Sequence, residues 1–199
     1  LEELKDDQRA AYQIQRRLLP AVDQTLGDIR FEYSLTPSLI VSGDFVDVIA
    51  LDEQRTLFYL ADVSGHGASS ALITILLKNI TGRLLRNFRR SSSYDVLSPR
   101  KTLERINSEV LTLGLDKHLT MFVGLLDHSE NELTYAVGGH HPLPIYWSAD
   151  NVCHLSGKGM AVGLFPNARF DENVLKLEDS FSLFLFSDGI LDLMSQTSI

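Results

Sequence analysis

The chain has 199 residues, 44% hydrophobic and 22% charged, enough for one domain with a sizeable core. Its 26 acidic residues outnumber 18 Lys and Arg, a formal net charge of -8, which disfavours nucleic acid as a partner because such domains carry a basic stripe. A single cysteine, Cys153, excludes a disulfide framework or a thiolate zinc site within the chain, and the expectation is a reducing, cytoplasmic setting.

The first stretch, 1–20, holds good helix formers and no Gly or Pro before Pro20. Its apolar positions Leu4, Ala11, Ile14, Leu18 and Leu19 form a partial stripe that could pack on the body or on a second copy as a dimerising coiled coil. The charged start "LEELKDDQRAAYQ" has no signal-peptide pattern. A chain that begins on Leu is expected to be part of a longer protein. No apolar run reaches the about 18 residues of a membrane span, so no membrane insertion is expected.

Next, "IRFEYSL" alternates like a half-buried strand, and "DFVDVIALD" and "TLFYLADV" give two more strands around a polar turn. From Ala68 to Arg86, Leu72, Ile75, Leu76, Ile80, Leu84 and Leu85 recur at helical spacing. The Ser cluster and Pro99 of "NFRRSSSYDVLSPR" predict a loop, followed by a helix from about Lys101 to Leu113. "LTMFVGLLD", "ELTYAVGG", "PLPIYW", "NVCHL" and "SFSLFLFSDG" then give short strands. This order lacks the regular alternation of a doubly wound fold and predicts an α+β domain of mostly antiparallel sheets packed by helices.

Three acids share one local pattern, an apolar or strand-like segment, then Asp, with a small residue nearby: Asp44 in "VSGDFVD", Asp62 in "ADVSGHG" and Asp188 in "LFSDG". A carboxylate at the end of a buried strand loses hydration, and several together repel unless a cation sits between them. Hard oxygen donors with no Cys and little His suit Mg or Mn. For any one Asp, turning the chain is the more common role; three with the same pattern leave the two readings about even.

The segments "SGDFVD", "ADVSGHG", "MFVGLLD", "GGHHPLPIY", "GMAVGLF" and "LFLFSDGILD", preceded by "QIQRRLLP", occur in an order that resembles the SpoIIE/RsbU-type branch of the metal-dependent (PPM) protein phosphatases. The resemblance runs from about Gln13 to Asp192. It implies a sandwich of two antiparallel β-sheets flanked by helices, α-β-β-α, spanning 21–199, with 1–20 as a linker helix. It implies hydrolysis of phosphoserine or phosphothreonine in a protein substrate, with two Mn or Mg ions. Such a pair of ions can activate a water and neutralise phosphate oxygens. Carried over, Asp62 would serve both ions, the Val63 carbonyl would be a further ligand, and Asp44 and Asp188 would serve one ion each. Asp47, Ser64, Gly65, His66, Gly67 and His140 would lie around the metals or the substrate.

Ser42 and Val46 stand where that branch usually has Gly and Tyr, which implies a changed pocket wall. The branch carries a further ligand Asp in a later "DDxT"-like segment, which would lie past Ile199. His66 could touch phosphate or cap its turn, and the resemblance places His140 and His141 near the active face. Arg83, Arg86, Arg89, Arg90 and Arg100 could dock an acidic phosphoprotein or simply solvate a helix end. The resemblance, similar to RssB-type response regulators with a phosphatase output domain, implies a signalling enzyme. Its substrate would be a phosphorylated regulator such as an anti-sigma-factor antagonist. A sensor or receiver domain would lie upstream, and the N-terminal helix could join a homodimer. The rival reading is an adaptor that keeps the fold without catalysis and binds a partner protein.

Overall fold

The structure is a computed structural model that describes residues 2–36, 42–65, 68–114 and 116–194. Helix α1 (Glu2–Leu18) packs on α2 (Ala68–Arg89). A hairpin, β1 (Asp23–Leu26) and β2 (Ile29–Glu32), follows α1 and turns at Gly27, whose φ of 59° suits a residue without a Cβ. Only its second strand is visible as alternation in the sequence, because "DQTL" puts the polar Gln24 on the half-buried side beside Leu26.

Strands β3 (Asp44–Ala50), β4 (Arg55–Val63), β5 (Leu119–Asp127), β6 (Glu132–Gly138) and β9 (Glu172–Lys176) form one antiparallel sheet in the order β3-β4-β5-β6-β9. Strands β7 (Ile145–Ser148), β8 (Val152–His154) and β10 (Phe181–Phe184) form a second, ordered β10-β7-β8. The expected pair of antiparallel sheets is therefore present.

Alternation along each strand sends residues to two separate cores. On one face, Phe45, Leu57, Tyr59 and Val123 pack under Leu77, Ile80 and Leu84 of α2 and Leu103, Ile106 and Val110 of α3 (Pro99–Thr112). On the other face, Phe58, Phe122, Leu133 and Tyr135 meet Tyr146, Phe181 and Leu183 of the small sheet and Phe31 of the hairpin. The large sheet is thus buried on both sides, which explains apolar runs such as "TLFYLADV".

Two boundaries differ from the sequence expectation. Helix α2 continues to Arg89, since Phe88 packs on the core and Arg55 lies over its ring. Helix α3 starts at Pro99, because proline fits the first helical position and Ser98 caps the end by accepting from the Lys101 N–H at 3.2 Å. The segment between them carries a short 3-10 turn at Asp95–Leu97. No helix among the described residues is long and apolar enough to cross a membrane.

Candidate active site

Asp44 is the first residue of β3 and Asp62 the last but one of β4, and the register places them directly opposite each other. Opposed residues of an antiparallel pair share a face. Here it is the face turned toward the second sheet, since Phe58, of the same parity as Asp62, belongs to the inter-sheet core. Asp188 arrives from that second sheet, four residues beyond β10 and just before the short helix α4 (Gly189–Leu193). Its neighbour Ser187 ties the two layers together by donating its hydroxyl to Asp44 Oδ2 at 2.9 Å. The structure therefore gathers Asp44, Asp62 and Asp188 at one end of the sandwich.

Burial, then the charges of Asp44 and Asp188 and a hydrogen bond to Asp188, push the Asp62 carboxyl up to about 7. Asp44 is also raised, first by burial and further by the Asp188 charge, against the opposing Ser187 hydrogen bond. Converging carboxylates disfavour their own ionisation, and an added cation relieves them.

Main-chain oxygens join the carboxylates around Gly43. The Val63 N–H donates to the Gly43 carbonyl at 3.1 Å. A Cβ on Gly43 would lie 2.7 Å from the Val63 oxygen, 3.3 Å from the Gly65 oxygen and 3.7 Å from Asp62 Oδ1. Only glycine leaves that cradle open. The turn after β4 is held from outside: Ser64 N–H donates to His118 O, Ser64 Oγ accepts from the His118 N–H, and Lys117 Nζ donates to Ser64 O at 2.9 Å. Gly65 has a φ of 80°, which fits its place in this turn.

The donor set, all hard oxygens with excess negative charge, fits a Mg or Mn ion. Among the described residues no three His, Cys, Asp or Glu side chains lie together closely enough to hold an ion by themselves. Main-chain oxygens and water would complete the shell.

Asp47 lies elsewhere. Three residues from Asp44, it faces the helix layer, fully buried, and accepts from Lys78 Nζ of α2 at 2.8 and 2.7 Å. It fastens the sheet to α2, on the side away from the carboxylates. His140 is buried near the Phe186 main chain, whereas His141 is exposed. His66 and Gly67 lie outside the described residues.

Sequence reasoning missed Gly43, Ser187 and Gln15. Ser187 is adjacent to an acid already singled out, and that adjacency was the available signal. Gln15 is 2% exposed. Its Nε2 donates to the Ser42 carbonyl at 2.8 Å and to Thr74 Oγ1 at 3.2 Å, and its Oε1 accepts from the Ser42 N–H. Ser42 in turn accepts from the Asp44 N–H through its hydroxyl at 3.0 Å, so this departure from the branch pattern supports the Asp44 turn.

The family profile described as "Stage II sporulation protein E (SpoIIE)" matches residues 52–198. Protein IcfG of Synechocystis is 27% identical, over 93% of this chain and 32% of the relative. Phosphoserine phosphatase RsbP of Bacillus subtilis is 28% identical, over 76% of this chain and 37% of the relative. The chain thus spans about a third of the length of each. The SiaA-PP2C domain of Pseudomonas aeruginosa superposes with a TM-score of 0.78 at 22% identity, covering 96% of this chain and 74% of that one. With the profile match over most of its length and a PP2C-type fold beneath it, the chain belongs to the SpoIIE family.

Proposed function

We propose that the chain is a metal-dependent protein phosphatase domain that hydrolyses phosphoserine or phosphothreonine on a bacterial signalling protein. The observation that carries this reading is the meeting of Asp44, Asp62 and Asp188 from two sheets beside the Gly43 cradle. The name of RsbP, a phosphoserine phosphatase, supports the same substrate class.

Asp44, Asp62, Asp188 and the Val63 carbonyl would hold one or two Mg or Mn ions. When bound, such ions supply an activated water and neutralise charge on the phosphoryl oxygens. The residues of this chain supply position. The β3–β4 ladder fixes Asp44 against Asp62, Ser187 sets the approach of Asp44, and the 117–118 segment clamps the turn that presents the Val63 oxygen. Phosphoryl transfer asks chiefly for this positioning and for charge stabilisation.

A phosphorylated anti-sigma-factor antagonist or similar regulator fits as substrate. A sensor or receiver domain upstream would act through α1, which Gln15 joins to the main chain two residues from Asp44. The same helix could pair two copies. The test is release of phosphate from a phosphoserine protein with Mn present. Turnover by the wild-type chain and its loss in Asp62→Ala support the reading. A chain that binds partner proteins but releases no phosphate with Mn is the adaptor instead.

A further inference from the structure

A buried side chain with unused polar atoms demands a cause. His140 is such a residue: it is 3% exposed, and neither ring nitrogen has a hydrogen-bond partner. It stands where β6 has ended, behind Gly139, whose φ of 66° and N–H bond to the Gly159 carbonyl fix the turn. The imidazole faces the main chain of Phe186 without reaching full hydrogen-bond geometry. An apolar side chain of similar size would fill the same volume with no orphaned atoms.

The segment that His140 faces is the one that carries the site's second-sheet residues. Phe186 is followed by Ser187, bonded to Asp44, and by Asp188, whose charge acts on Asp62. In the 138–142 turn the His140 imidazole is the one buried polar side chain. A shift of this segment toward the Asp44–Asp62 pair would change the distance from the ring to the Phe186 carbonyl.

We propose that His140 is a positioning residue for the cation site: it donates a ring N–H to the Phe186 carbonyl when Asp188 is drawn in, and so sets where Ser187 and Asp188 stand. This rests on the cation-binding reading of the three acids given above. A bond to the Phe186 carbonyl would give one of the two unpartnered nitrogens a role and hold the 186–188 segment from behind. Groups that orient ligands in this way typically change metal affinity by about 10–100-fold when removed.

The experiment is calorimetric titration of the full chain with Mn, for the wild type and His140→Leu, beside the melting temperature of each without metal. His140→Leu is expected to melt at or above the wild-type temperature, because it removes two unsatisfied nitrogens, and to bind Mn about 10-fold or more weakly. A residue that merely filled space would leave affinity unchanged. Wild-type affinity in His140→Leu overturns the inference alone, whereas a wild-type chain that binds no Mn overturns the reading of the site as well. If His140→Leu does not fold, imidazole nitrogen resonances of the wild type decide. Saturating Mg must shift those of His140 and leave those of exposed His154 in place, and unchanged His140 resonances overturn the proposal.

Discussion

Lys78→Met should destabilise the domain without touching the carboxylate cleft. In the structure, Asp47 Oδ1 accepts from Lys78 Nζ and from the Val48 N–H, and Oδ2 accepts from Lys78 Nζ and, at 3.4 Å, from the Tyr59 hydroxyl. The Asp47 side chain is 1% exposed and the Lys78 side chain 35%. Removing the ammonium leaves a buried carboxylate with one main-chain donor and one long phenol contact. Breaking a buried pair in this way costs about 3–5 kcal/mol, and water entering beside the part-exposed Lys78 position brings the expectation to the lower end, about 3 kcal/mol. That corresponds to a fall in melting temperature of roughly 6–12 °C for a domain of this size. Urea unfolding should show a lower midpoint with an unchanged slope. The double substitution Asp47→Asn with Lys78→Met should recover most of the loss, because the remaining donors then face a neutral amide. A loss below about 1 kcal/mol in Lys78→Met, or a double variant no better than the single, refutes the account of Asp47 as a buried carboxylate dependent on its cation.

Further outcomes follow from the cleft. Asp62 has a folded-state value raised to about 7, so its protonated form favours the metal-free fold at acid pH, and that contribution is lost as pH rises through about 7. Metal must displace this proton, so the melting-temperature gain from Mn should be larger at pH 8 than at pH 6, and equal gains at both would count against the shared acid cluster. Asp44→Asn should keep the fold and lose Mn-dependent phosphate release by about 100-fold or more, given the several kcal/mol that metal-borne charge stabilisation contributes. Gly43→Ala places a methyl 2.7 Å from the Val63 oxygen and should cost about 1–3 kcal/mol by urea unfolding. Gln15→Ala removes the amide that bonds both the N–H and the carbonyl of buried Ser42 and should cost about 1–3 kcal/mol, with faster proteolysis of α1 as the direct readout.

The sequence by itself marked most of the elements and the three acids of the candidate site. Alternation and helical spacing marked β3 to β6 of the large sheet and the helices that cover it, because burial on a face leaves a period in the chain; the edge strand β9, exposed at alternate positions from Glu172 to Lys176, was not marked. Asp44, Asp62 and Asp188 were each visible as an acid beside a small residue after a strand-like run. What stayed hidden were partners that the chain brings together from far apart. Asp47 looked like a companion of Asp44, yet three residues along a strand reverse the face, and the fold aims it at Lys78. Ser187 reaches Asp44 only because the second sheet closes over the first. Gln15, on a helix with a weak apolar stripe, is buried only because α1 lies on α2 above Ser42. A local pattern records which face a residue takes, and packing of the layers alone decides what meets it there.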